Sequence, residues 1–217
     1  YAANTAGTIA GLGNEAVTIN NTGNVLASEV NSINAATTGV VTLTGVTRVS
    51  GTAADINTAY ASNAVGTIAG LGNEAVTITG TTSAAADINT ANTNTTGVVT
   101  VDSTTITGTT AQLTTLYAAN TAGTVAGLGN EAISLDSPIT VAQLNTVSAL
   151  TTGNVTATVS DNDVDTLAGI TEAGNNLTLT LTDATSVAAS SLNAIDAKTT
   201  GVLQVTSTNI TGTAAEI

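Results

Sequence analysis

Apolar residues recur in pairs three positions apart along the chain: Val30/Ile33, Ile56/Ala59, Ile88/Ala91, Leu113/Leu116, Leu144/Val147, Leu167/Ile170 and Leu192/Ile195. Ile217 stands where an eighth pair begins. Steps between first members are 26, 32, 25, 31, 23, 25 and 25 residues. Long units carry Ala-Gly-Leu-Gly-Asn-Glu-Ala, at 10–16, 69–75 and 126–132, and alternate with short ones. Thr-Thr-Gly marks the turns at 37–39, 95–97, 151–153 and 199–201. Self-similarity at a fixed period is the signature of a repeat architecture.

Each unit has the same internal order. A turn, Thr-Thr-Gly or Asn-Thr-Ala-Gly, comes first. Period-two β-branched runs follow, such as 41–44, 76–79, 155–159 and 177–182. Such alternation bounded by Gly and Asn predicts short, half-buried strands. A further apolar position lies seven residues before the anchor, at Val49, Ile106 and Ile210. A [Ser/Thr]-Gly-Thr turn comes next. Thr52-x-x-Asp55, Thr109-x-x-Gln112, Thr140-x-x-Gln143 and Thr213-x-x-Glu216 then match a capping box or its Asp variant. One or two helical turns are predicted after each, with the i, i+3 pair facing inward.

A unit of about 25 residues cannot bury its own apolar face, but stacked units can. The expected fold is mainly β: a β-solenoid of about 25-residue coils alternating with about 31, with short strands and one short helical corner per coil. A leucine-rich-repeat horseshoe ranks lower, because the Leu-x-x-Leu-x-Leu framework is absent. Residues 1–217 are expected to form a single segment of about eight coils, cut mid-repeat at both ends. Tyr1 holds the place of Tyr60 and Tyr117, and three residues between Ile217 and Tyr1 would restore an unbroken repeat.

Composition narrows the chemistry. The chain has no Cys and no His, so the usual zinc, haem and triad sites have no ligands here. Its two basic residues, Arg48 and Lys198, cannot supply an electrostatic footprint for nucleic acid. Fifteen acids bring the formal charge to -13. No apolar run is long enough for a membrane span, and the strands are too short and too poor in aromatics for an outer-membrane barrel. No membrane insertion is expected. Carboxylates alone remain for catalysis, with no clustered base beside them, so an enzyme is not expected.

Four features are candidates for chemistry. The repeated Asn-Glu (Asn14/Glu15, Asn73/Glu74, Asn130/Glu131) would make an acidic ladder on one face, or else a Gly-x-Gly-Asn turn. Asp161, Asp163 and Asp165 form the densest acid cluster and are candidate Ca²⁺ ligands, although the EF-hand loop is incomplete. Asn follows the first anchor in five units (Asn31, Asn57, Asn89, Asn145, Asn193), which fits stacked amides bonding from unit to unit. Recurrent Thr-x-Thr offers either a face for ice or crystalline polysaccharide or the ordinary solvent side of strands.

The phrases Gly-Thr-Ala-Ala-Asp-Ile-Asn-Thr-Ala-Tyr-Ala-Ser (51–62), Gly-Leu-Gly-Asn-Glu-Ala-Val-Thr (70–77) and Thr-Gly-Thr-Ala-Ala-Glu-Ile (211–217) resemble repeat tracts of very large secreted or cell-surface bacterial proteins. These are adhesin-like proteins, often labelled hemolysin-type, and especially those of marine cyanobacteria. The Gly/Asp-rich nonapeptide that binds calcium in the hemolysin type is missing, so calcium does not carry over. The expected role is structural: an extracellular or cell-surface rod serving as filament, sheath or adhesin stalk. Its expected partners are neighbouring copies or coils of the same protein, with surface polysaccharide second. The alternative is a carbohydrate- or ice-binding module that uses the Thr/Asn-rich face.

Overall fold

A computed structural model describes residues 1–182 and 185–217. They fall into two compact units. The first is Tyr1–Ser103 with Thr115–Leu128; the second is Thr104–Thr114 with Gly129–Ile217. The chain runs α1 (Ala2–Thr5), β1 (Val17–Ile19), β2 (Gly23–Leu26), α2 (Ala27–Ala36), β3 (Val41–Leu43), β4 (Val46–Gly51), α3 (Ala53–Val65), β5 (Ile68–Ala69), β6 (Ala75–Ile78), β7 (Thr82–Ala84), α4 (Ala85–Asn94) and β8 (Val99–Val101). It continues through β9 (Thr105–Gly108), α5 (Thr110–Ala122), β10 (Val125–Ala126), β11 (Ala132–Leu135), α6 (Val141–Ser148), β12 (Val155–Thr158), α7 (Val164–Leu167), β13 (Asn176–Leu181), β14 (Ser186–Ala188), α8 (Ala189–Asp196), β15 (Val202–Val205) and β16 (Asn209–Thr211).

The expectation of a mainly-β solenoid is overturned: the fold is mixed α/β, about 33% helix against 29% strand among the described residues. The helical segments are far more than corners. Helices α2 and α4 have 10 residues and α3 and α5 have 13. The reason lies in the stretch after the anchor pair. Tyr60-Ala-Ser-Asn-Ala-Val continues the helix instead of turning, because its Ala residues cost little to hold helical. The turn waits for Gly66, which takes the left-handed conformation (φ 85°) and donates to the Asn63 carbonyl, while Thr67 N–H reaches back to Ser62 O at 3.0 Å.

Three of the four Thr signals open helices; after Thr213 the chain makes a turn instead of a helix, with Thr213 N–H donating to Glu216 Oε2 at 2.8 Å. Thr52 Oγ1 accepts from Asp55 N–H at 3.1 Å, and Thr140 makes a complete capping box with Gln143. Thr109 and Gln112 exchange the same pair of bonds. Helices α2, α4 and α8 begin without a side-chain cap, directly out of a strand.

All named pairings are parallel. In the first unit β1-β3-β5 form one sheet and β2-β4-β6-β8-β10 another. In the second, β9-β11-β12-β13-β15 run side by side and β14 pairs β16. Every partner comes from the next repeat: Val49 faces Val76, Ile133 faces Val155 and Leu179 faces Leu203. Register therefore lays apolar positions over apolar positions, and a slip by one residue would turn each of them to solvent. The anchors Ile56, Ile88, Leu113, Leu144 and Leu167 are fully buried with their strand counterparts Val76, Ile106, Ile133 and Leu177. The core is almost wholly aliphatic, with two tyrosines, Tyr60 and Tyr117, as its aromatic members.

Candidate functional site

The repeated Gly-Leu-Gly-Asn-Glu segment links β5 to β6 and carries the most concentrated chemistry. Gly70 (φ 98°) and Gly72 (φ 135°) adopt a backbone that side chains disfavour, and the loop doubles back on itself. Glu74 is thereby turned inward and buried. Its Oε2 accepts from Gly72 N–H at 2.9 Å and Asn73 N–H at 3.1 Å, and its Oε1 accepts from the Tyr60 hydroxyl. Consecutive amides converging on one carboxylate form an anion-holding nest. Burial, then the adjoining Glu74 carboxylate, pushes the Tyr60 phenol well above its usual range.

Thr-Thr-Gly of the following repeat closes the same loop. Thr95 Oγ1 donates to Glu74 O at 2.7 Å, Gly97 N–H donates to Thr95 Oγ1 at 3.0 Å, and Thr96 N–H donates to Gly72 O at 2.9 Å. A Cβ on Gly97 would overlap the Glu74 carbonyl, so only glycine lets the two backbones approach. Asn63 of α3 clips the other end, exchanging bonds with both backbone groups of Leu71.

The clasp recurs. Thr37 Oγ1 donates to Glu15 O at 2.6 Å, and Thr151 Oγ1 donates to Glu131 O at 2.7 Å. Glu15 accepts from Gly13 and Asn14 N–H, and Glu131 from Gly129 and Asn130 N–H. The adjoining Tyr1 hydroxyl, then the Gly13 amide, hold the half-buried Glu15 down to about 2. The acidic ladder therefore does not face solvent. The glutamates are tied to their own loops, and the two repeated motifs are halves of one fastening. The sequence reading missed that partnership. Its signal was the spacing: Thr37, Thr95 and Thr151 follow Glu15, Glu74 and Glu131 by 22, 21 and 20 residues, about one repeat.

Asp161, Asp163 and Asp165 lie between β12 and α7 and at the start of α7. Asp161 Oδ2 accepts from Val141 N–H at 2.7 Å, at the start of α6. Asp163 is the N-cap of α7, accepting from Thr166 N–H at 2.7 Å. The Thr166 hydroxyl and then its amide lower the Asp163 carboxyl. Asp165 sits exposed in the first turn. Among the described residues no group of three or more His, Cys, Asp or Glu is placed to hold a metal ion.

The post-anchor asparagines bridge repeats. Asn31 Nδ2 donates to Asp55 O at 2.9 Å, Asn57 to Asp87 O at 3.1 Å, Asn145 to Gly169 O at 2.9 Å and Asn193 to Glu216 O at 3.0 Å. Threonines meet in register as Thr18–Thr42 and Thr77–Thr100, but Ala69 and Ala126 oppose the next places. A hollow of about 450 Å³ is lined by Ser148, Thr151, Thr152, Glu172 and Asn175. Its buried members already bond each other, Asn175 Nδ2 to Ser148 Oγ at 3.1 Å.

Among the described residues no helix is long and apolar enough to cross a membrane. Compared with models of protein families, with curated proteins and with solved structures, the chain matches none.

Proposed function

We propose that this chain is a structural repeat element outside the cell or on its surface, serving in a filament, sheath or stalk. The observation that carries the reading is the fastening of each repeat to the next. Strands pair in register with the next repeat, an Asn amide crosses between helices, and a buried carboxylate locks the loop that Thr-Thr-Gly then clasps. The Glu74 carboxylate and the side-chain amides of Asn31 and Asn57 are engaged within the protein. Extension by adding repeats is natural to such an arrangement, because each repeat contacts only its neighbours. Its partners in this reading are copies or repeats of the same kind, with surface polysaccharide at the periphery. The charge of -13 keeps neighbouring assemblies apart.

The test is electron microscopy of native, unfixed material together with the intact mass of its chain. Extended assemblies of uniform width are expected. Discrete particles with no extended form would sink the reading.

A further inference from the structure

One repeat in the second unit lacks the filling its counterparts have. The anchors Ile56 and Leu113 lie in helices of 13 residues, α3 and α5, whereas Leu167 lies in α7, which has 4. The later part of α3 meets α2, where Asn34 Nδ2 donates to Ser62 Oγ at 3.4 Å. Ser148 follows Leu144 by four residues, as Asn34 follows Val30. Because α7 ends at Leu167, Ser148 meets Asn175 instead, whose Nδ2 donates to its Oγ at 3.1 Å. The strand changes too. The amides of Val41 and Val99, each two past a Thr-Thr-Gly, donate to the Thr67 and Thr124 carbonyls. At Val155, two past Thr151-Thr152-Gly153, the acceptor is a side chain, Asn175 Oδ1 at 2.8 Å. Asn176 pairs with Thr156, so Asn175 stands opposite Val155, where the earlier repeats set Ile68 and Val125 opposite Val41 and Val99.

The shortened helix and the altered strand leave the hollow of about 450 Å³. Strands β11 and β15 flank the β12–β13 pair beside it, so it lies inside the stack. Ser148 and Asn175 are its buried members, 8% and 6% exposed, and Thr151, Thr152 and Glu172 line it towards solvent. Beyond the bonds they already make, the Ser148 hydroxyl keeps a proton to donate and the Asn175 amide a second N–H. Thr152 Oγ1 donates to Gly129 O at 3.2 Å and keeps lone pairs to accept with. Glu172 is the one carboxylate in the lining, and the two cations of the chain, Arg48 and Lys198, lie outside it.

We infer that this hollow binds one neutral pyranose unit of a surface polysaccharide. The inference rests on the polysaccharide partner of the reading above, not on the rod, and gives that partner a site. The volume falls within the range of about 300–1,000 Å³ that small-molecule sites occupy. Sugar hydroxyls both donate and accept, which matches a lining with donors at its base and acceptors at its mouth. Two neighbouring hydroxyls donate to the Glu172 carboxylate, and such charge-assisted bonds are the strong ones. The same carboxylate, with no cation beside it, repels uronic and sulfated sugars. Hydroxyls also reproduce the hydrogen bonds of the water they displace, so entry leaves no polar group unpaired. No aromatic ring lines the hollow. Affinity therefore comes from hydrogen bonds without ring stacking, and is on the order of millimolar.

Heteronuclear NMR titration of the 217-residue chain with D-glucose, D-galactose and D-mannose tests this. The expected result, for at least one sugar, is saturable shifts of the amides at 148–153 and 172–175, with a Kd on the order of 1–10 mM. D-Glucuronate should bind about 10-fold more weakly or worse. Glu172→Gln keeps the shape and removes the charge, and should weaken binding by on the order of 10-fold. Ala149→Leu puts a larger side chain into the hollow and should abolish the shifts. Both positions are exposed, so circular dichroism should be unchanged. No saturable shift with any of the three sugars, shifts that survive Ala149→Leu, unweakened binding by Glu172→Gln, or glucuronate bound as tightly as the neutral sugars overturns the inference. Extended native assemblies built from a chain that binds none of these sugars would sink the site and leave the structural reading standing. Sugar binding in this hollow, with native material that forms only discrete particles, would support the site and sink the structural reading.

Discussion

Removing the Glu74 carboxylate should loosen the clasp more than any surface change. Three donors converge on it: Gly72 N–H, Asn73 N–H and the Tyr60 hydroxyl. Each bond to a charged acceptor contributes about 1.5–3 kcal/mol net, and each donor left buried and unpaired costs about 1–3 kcal/mol. Glu74→Ala leaves a space bordered by those donors, which water can enter and partly satisfy. The expected loss is therefore about 3–5 kcal/mol, below the plain sum of the three bonds. Against a typical total of about 5–15 kcal/mol this is severe. Glu74→Gln keeps one oxygen for the amides and offers N–H to the Tyr60 oxygen, so it should cost only about 1–2 kcal/mol. Urea unfolding gives the totals. Because repeat arrays can open locally, native-state hydrogen exchange at Gly72, Asn73 and Thr96 is the sharper readout. Those amides should exchange together in Glu74→Ala, ahead of the β4–β6 ladder. A Glu74→Ala chain within about 1 kcal/mol of wild type, with those amides still protected, would refute the clasp as a source of stability.

Gly97→Ala should cost about 1–3 kcal/mol by driving a methyl into the Glu74 carbonyl, and urea unfolding measures it. The Tyr60 phenol lies above its ordinary value of 10.0, so the folded chain keeps a proton the unfolded chain releases. Stability should be full below about pH 10 and decline above it, with Tyr60→Phe flattening that limb in pH-dependent melts. Glu15, held down to about 2 from 4.5, has the opposite sign. Its contribution is present above pH 4.5 and fades as pH falls towards 2, and Glu15→Gln should remove that part of the acid limb. Calcium and chelator should both leave the thermal midpoint unchanged, because Asp161 is held by the Val141 amide and Asp163 caps α7; a rise of several degrees on adding calcium would contradict this.

Local signals in the sequence carried a long way. Thr52, Thr109 and Thr140 open helices where the capping pattern puts them, because a hydroxyl and the residue three on satisfy each other without help from the rest of the chain. The buried anchors and the alternating strands follow from a period that any packed repeat must respect. Helix length was read too short, because Asn-Ala-Val-Gly looks like a turn until Ala propensity is weighed against the Gly that ends the helix. Helices α2 and α4 escape that reading for another reason: they start directly out of a strand, with no side-chain cap to mark them, and run 10 residues.

The repeat by itself determined where the elements fall and which side chains become core, since both depend on spacing along one chain. Tertiary structure alone decided what the polar motifs do. Gly-Leu-Gly-Asn-Glu and Thr-Thr-Gly lie about a repeat apart, and only parallel stacking brings Thr95 onto the Glu74 carbonyl. Whether Glu74 faced solvent or its own loop amides depended on the left-handed turn at Gly70 and Gly72 and on Tyr60 arriving from the preceding helix. A carboxylate in a sequence carries no mark of which way it points; burial among converging donors does, because an unpaired charge could not remain there.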